Sequence, residues 1–286
     1  MNPRAEDAFR ADIVEVGKRM YARAYVASND GNISIRLDDN TILTTPKSVS
    51  KGFMTPDMMV VVDLEGRKIR GSREASSELL MHLEVYRNRP DVRAVVHAHP
   101  PIATGFAVAG IPLDRAVLAE VVTTLGSIPI AEYGTPSTPE LPAAVRKYIK
   151  AHDGLLLANH GALTVAPDVF AAYFKMETIE HFARISLVAR QLGREHLLSR
   201  DEVTRLQDLR GNYGIKSPAP ICADGSSLPV DSDPASCQVI QAPTSSGARL
   251  IPADPADLDG EIRLSYRELT ALIEDAVKAL LGGQHG

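Results

Sequence analysis

The run VVHAHPP, residues 95–101, sets two histidines two positions apart in a valine-rich stretch, and LANHGALTV, residues 157–165, sets a third ahead of a glycine. The chain has eight histidines in all, so three in such settings call for an explanation. Side chains two apart on a strand leave the same face, so His97 and His99 project together while Val96 and Ala98 face the other way. That spacing suits two imidazoles on one metal ion; the alternative is a strand end carrying two hydrogen-bonded histidines. His160 closes the apolar run LLLAN, where a third ligand can converge. Three histidines around Zn²⁺ leave one position open, as in a catalytic rather than a structural site.

Two further stretches have the chemistry of an anion pocket. In EASSELLMH (74–82), Ser76 and Ser77 fall at the start of a helix, where free backbone N–H groups and hydroxyls can receive an anion. Glu78 follows in the first turn. Ordinary N-capping accounts for the same letters. In DGNIS (30–34), Gly31 and Asn32 offer backbone and amide donors, or else form a plain turn.

The elements that must position these residues alternate along the chain. Residues 6–25 have helical periodicity through Phe9, Ile13, Val16 and Met20. Strands are expected at 28–36 (after a turn), 41–46, 58–66, 93–98 and 127–133, with a strand pair over 154–165 around His160–Gly161. Helices are expected at 75–88, 101–109, 139–150 and 167–192. Strands and helices interleaved from 6 to 193 make one α/β domain. Beyond about residue 214 the chain is rich in Pro, Ser, Asp and Ala and reads as an extended segment over 214–264. A short amphipathic helix follows within 265–286, with Leu269, Leu272, Ile273, Val277 and Leu280 on one face.

Bulk composition narrows the classes. At 286 residues, 44% hydrophobic and 23% charged, the chain has the balance of a globular protein, and a net charge of −5 favours neither nucleic acid nor an anionic membrane. Eight charges in the first twenty residues and no apolar run of eighteen argue against a signal peptide or a membrane span. Cys222 and Cys237 are expected as free thiols in a cytoplasmic protein, with a local disulfide as the alternative, so a metal site would not use thiolates.

The order G-N-x-S, T-P, S-S-E, H-x-H and N-H-G across residues 31–161 resembles the class II aldolase/adducin family, and within it the L-fuculose-1-phosphate aldolase branch. The resemblance covers about residues 6–213, taken with the opening residues as a catalytic domain over 1–213. It implies a central, mostly antiparallel β-sheet flanked by helices in a three-layer sandwich, followed by an irregular C-terminal extension. It implies one Zn²⁺ per subunit on His97, His99 and His160. Glu78 becomes the catalytic carboxylate, able to ligate the metal when substrate is absent. Gly31, Asn32, Ser76 and Ser77 become the phosphate pocket, closed by the loop after Thr45–Pro46. The branch has Thr-Gly after that proline, whereas this chain has Lys47–Ser48; a lysine there can hold phosphate as a point charge. SKG (50–52) looks like other branches.

The activity so implied is reversible retro-aldol cleavage of a phosphorylated ketose to dihydroxyacetone phosphate and a short aldehyde, in a homotetramer with sites at subunit boundaries. The branch supplies an acid at the aldehyde end from a tyrosine before the IP strand. AVLAEVVTTLGSIP has none, and Glu120 is the nearest acidic candidate, with Tyr133 a little beyond. Glu120 also reads as a solvent-facing helix residue. The same scaffold supports pentulose-phosphate 4-epimerases, a methylthioribulose-phosphate dehydratase and the non-catalytic adducin branch; retention of all three histidines and Glu78 argues against the last. The terminal helix is expected to pack on its own or a neighbouring subunit, or to dock on a partner such as a bacterial microcompartment shell.

Overall fold

The structure, a computed structural model, describes residues 3–215 and residue 221. The expected segment 214–264, the helix within 265–286 and both cysteines therefore lie essentially outside the described residues. An eight-stranded sheet runs through the domain: β1 (Asn32–Arg36), β2 (Thr41–Thr44), β3 (Val60–Asp63), β4 (Lys68–Arg70), β5 (Ala94–Ala98), β6 (Ile130–Ala131), β7 (Gly154–Leu157) and β8 (Gly161–Ala166). Their spatial order is β4-β3-β2-β1-β5-β8-β7-β6. Only β6 with β7 is parallel; every other neighbouring pair is antiparallel.

The helices are α1 (Pro3–Ala22), α2 (Leu79–Asn88), α3 (Pro101–Val108), α4 (Ala119–Thr124), α5 (Glu140–Arg146), α6 (Val169–Gln191) and α7 (Arg200–Leu209). The sheet separates two apolar layers, and its strands feed them alternately. Ile33, Ile35, Val96 and Ala98 pack with residues of α1, α3 and α6. Val95, Leu155, Leu163 and Val165 pack with α2 and α5. The three-layer arrangement with a mostly antiparallel sheet is the expected one. Among the described residues no helix is long and apolar enough to cross a membrane.

Several boundaries differ from the sequence reading. The strand expected over 58–66 ends at Asp63, and an exposed partner, β4, follows it across a turn. The strand expected at 127–133 shrinks to the two residues of β6. Helix α2 begins at Leu79, not at 75, because Ala75 is held in a bridge with Pro46. Ser76 and Ser77 therefore stand before the helix, and Glu78 is its N-cap rather than a first-turn residue. Helix α7, unforeseen, is closed by a capping box between Ser199 and Glu202. It buries Val203 with Ala116 and Val122.

Candidate metal and anion site

The alternation that sends Ile33 and Ile35 to one layer turns Asn32, Ser34 and Arg36 of β1 toward α2. Two residues of strand rise about 6.6 Å and four residues of helix about 6 Å, so side chains at i, i+2, i+4 can meet helix positions j, j+4, j+8. They do. Asn32 Nδ2 donates to Glu78 Oε2 at 2.7 Å, Ser34 Oγ meets His82 Nδ1 at 2.7 Å, and Arg36 donates to the Tyr86 carbonyl. Ser34 Oγ also meets the Tyr86 hydroxyl at 2.8 Å. These three rungs lock the start of α2, and Glu78 with it, to the strand beside the histidines.

His97 shares the face of Val95 on β5 and is fully buried, while His99 lies one residue past the strand's end. His99 is held there by its backbone N–H on the Tyr25 carbonyl at 2.9 Å. His160 sits in the turn between β7 and β8, after Asn159 in left-handed backbone at φ 54°. Candidate ligand atoms of the three histidines lie within 4.8 Å of one another. Glu78 joins them, with Oε1 3.0 Å from His160 Nε2 and Oε2 3.4 Å from His97 Nε2.

The donor set fits a cation. His97 Nδ1 donates to the Ala162 carbonyl at 2.9 Å, and His99 Nδ1 faces Asp30 Oδ2 at 3.4 Å. With both Nδ1 atoms protonated outward, the two Nε2 atoms face each other at 3.1 Å with lone pairs on both sides. A cation shared between them satisfies both lone pairs, and outward anchoring of this kind is how metal-bound imidazoles are oriented. Burial pushes His97 well below the usual histidine range, and burial, then His160, lowers His99, the direction that favours the neutral form a ligand needs. Burial alone would raise the Glu78 carboxyl, but facing His97 and the bonds from His160 and Asn32 hold it well below the usual carboxylate range.

Beside this cluster opens a cavity of about 210 Å³, whose walls include Gly31, Asn32, Lys47, Ser48, Ser76, Ser77, Glu78 and His99. All six residues expected for an anion pocket are thus brought together, next to the expected metal ligands. The loop after Pro46 is pinned to the segment before α2: Ser76 N–H donates to the Thr45 carbonyl at 3.2 Å and Lys47 N–H to that of Glu74 at 2.9 Å. Glu120 is not brought to the cluster within one chain; it is exposed in the first turn of α4 and does not line the cavity. Two residues of the site were not foreseen. Asp30, behind His99, was hidden in what reads as a turn. Lys51, almost fully buried on the cavity wall, sits in the SKG stretch, where a lysine before glycine reads as surface.

With this geometry, comparison with known proteins is direct. Residues 11–187 match the Class II Aldolase and Adducin N-terminal domain. An L-fuculose phosphate aldolase of Methanococcus maripaludis is 34% identical over 181 residues, 63% of this chain and 97% of its own. A 3-oxo-tetronate 4-phosphate decarboxylase of Pectobacterium atrosepticum is 31% identical over 188 residues, 64% of this chain and 86% of its own. Among solved structures, an L-fuculose 1-phosphate aldolase superposes with a TM-score of 0.66 at 28% identity, over 70% of this chain and 95% of that one. The chain belongs to the class II aldolase and adducin family. Within that family it is an enzyme of the lyase class, most like the fuculose-1-phosphate aldolases.

Proposed function

We propose that the chain is a zinc-dependent aldolase that cleaves a phosphorylated ketose, reversibly, to dihydroxyacetone phosphate and a short aldehyde. The observation that carries this reading is the convergence of three imidazoles and Glu78 at the edge of a cavity lined by hydroxyls, amides and lysines. His97, His99 and His160 hold one Zn²⁺ per subunit, with Glu78 a further ligand when substrate is absent. The chemistry a bound divalent ion supplies there is Lewis-acid stabilisation of the enediolate charge left by carbon–carbon cleavage. Glu78, aimed by Asn32, moves the proton on the adjacent carbon as general base in the condensation direction. Gly31, Asn32, Lys47, Ser48, Ser76 and Ser77 receive the phosphate, and that remote binding aligns the reacting carbon.

One finding favours a second reading, the similarity to a 3-oxo-tetronate 4-phosphate decarboxylase. Loss of CO₂ from such a 3-oxo acid leaves the same enediolate, which on protonation is dihydroxyacetone phosphate. The same residues serve both reactions, and only the departing fragment differs. The deciding assay supplies the zinc-loaded chain with the 1-phosphates of fuculose, rhamnulose, ribulose and 5-deoxyribulose, and with 3-oxo-tetronate 4-phosphate. Dihydroxyacetone phosphate with an aldehyde supports the aldolase, and with CO₂ the decarboxylase. An inverted sugar or a dehydrated diketone assigns an epimerase or a dehydratase instead. No product from any of them refutes the reading.

We further propose a cytoplasmic homotetramer in which Glu120 of one subunit serves the aldehyde end of the next. A fully active monomer in light scattering refutes it. The segment 265–286 is proposed to pack on its own or a neighbouring subunit, with docking to a microcompartment shell as the rival. Deletion of residues 262–286 separates them: lost stability or lost tetramer supports packing, and loss of a co-purifying partner alone supports docking.

A further inference from the structure

Lys51 is the largest charged side chain among the fully buried residues, 1% exposed. Its place is imposed from behind. Residues Lys51–Phe53 form a 3₁₀ turn pressed on α1: a Cβ at Gly17 would come within 2.7 Å of the Lys51 carbonyl, and Phe53 meets Tyr21 edge to face at 5.5 Å. With its backbone against α1, the side chain runs inward. Its Nζ donates to the Asn29 carbonyl at 3.0 Å and to the Val49 carbonyl at 2.7 Å. Those acceptors belong to the two loops that contribute to the cavity's lining, the one leading to Gly31–Asn32 and the one after Pro46.

An ammonium has three donors. Two of Lys51's are taken by neutral carbonyls, and among the described residues no protein acceptor is recorded for the third. Asp30 and Glu78 act on it only through space, and burial outweighs them, bringing the amine down to about 8. A buried charge that lacks a contacting counter-ion is under-compensated. The cavity that Lys51 lines also carries Ser76 and Ser77. A phosphate there supplies both the missing acceptor and the missing charge. Lys47, the cation expected from the sequence, has an exposed side chain in water, where its Coulombic attraction is weakest.

We propose that Lys51 is the principal cation for the substrate's phosphate: two of its hydrogens tie the cavity walls together and the third bonds a phosphate oxygen. This deepens the phosphate-ketose reading and rests on it. The consequence is discrimination by charge, so that an unphosphorylated ketose leaves Lys51 uncompensated and binds poorly.

The test titrates inorganic phosphate calorimetrically into the zinc-loaded, full-length chain at pH 7, as wild type, Lys51→Gln and Lys47→Gln. Glutamine keeps an amide donor for the loop carbonyls but carries no charge. Lys51→Gln is expected to lose about tenfold or more in phosphate affinity and to raise KM with kcat little changed. Lys47→Gln is expected to lose less. A folded Lys51→Gln, with normal zinc content, that binds phosphate like wild type overturns this inference alone. Wild type that binds no phosphate refutes the reading beneath it, and this inference with it. Should Lys51→Gln fail to fold, the crystal structure of wild type with phosphate decides. Nζ at hydrogen-bond distance from a phosphate oxygen supports the assignment, and separation beyond about 4 Å overturns it.

Discussion

Substituting Gly161 by alanine perturbs the site through one methyl group. The residue opens β8 directly after His160, and its backbone is outside the left-handed region, so alanine is conformationally acceptable there. The obstacle is contact. The added Cβ would lie 2.5 Å from the Ala98 carbonyl oxygen, 2.6 Å from His99 Cδ2 and 3.3 Å from His97 Cε1, where ordinary contact begins at 3.4 Å. The first two fall short by about 0.9 and 0.8 Å. The carbonyl oxygen belongs to the β5–β8 pair, in which Ala98 lies opposite Ala162, so its displacement disturbs that pairing. The His99 ring must yield as well, and ligand distances tolerate only about ±0.2 Å. Overpacking of this kind costs about 1–3 kcal/mol of stability, and metal affinity should fall by at least the roughly 10–100-fold seen when ligand orientation is lost. Gly105→Ala, in α3 with nothing within 4 Å of its added methyl, is the matched control. Zinc affinity by competition with a chromophoric chelator, with melts in the presence and absence of zinc, reads both effects. A Gly161→Ala protein that binds zinc within about threefold of wild type would falsify the convergence of these rings on a metal.

Glu78→Gln should retain zinc and phosphate binding while kcat drops by about 10²–10⁴-fold, the usual contribution of a general base; near-normal turnover places the base elsewhere. Asp30→Ala should weaken zinc binding by about tenfold, the low end for such a partner because the carboxylate is 40% exposed and 3.4 Å from the ring; unchanged affinity removes Asp30 from the site. His82, hydrogen-bonded to Ser34 and one turn beyond Glu78, is brought down to about 4 by burial, from the ordinary histidine value of about 6.5. The unfolded chain then binds more protons between those values, so stability should fall as pH drops from about 6.5 to about 4, by up to about 1.4 kcal/mol per pH unit from this group. Denaturant melts of His82→Gln should show a flatter acid limb by that amount, and parallel curves refute it.

The pairing of His97 with His99 was legible because the signal is local. An H-x-H pair on a strand needs only the two-residue period, and the strand does carry His97 inward. Ser76, Ser77 and Glu78 were legible as letters, but their placement was not. The sequence reading started α2 four residues early, since the bridge between Pro46 and Ala75 is a contact across some thirty residues. Lys51 was illegible for the same reason: its burial is decided by Gly17 and Tyr21 on a distant helix. Strand β4, exposed throughout as KIR, has no apolar alternation to announce it. Glu120 could be named but not located, since one chain leaves it in solvent.

The three rungs between β1 and α2 separate what the enzyme must keep from what it can change. Asn32, Ser34 and Arg36 tie Glu78 and α2 to β1 through bonds that use no side chain of the loop after Pro46. The loop meets the segment before Glu78 through backbone groups, Ser76 N–H on the Thr45 carbonyl and Lys47 N–H on that of Glu74, so its side chains can be rewritten without shifting Glu78 relative to the imidazoles. The chemistry of the cavity wall can then change through a handful of loop residues, while the imidazoles and Glu78 stay in register. An engineer seeking a different sugar should therefore randomise 47–50 first and leave the ladder alone.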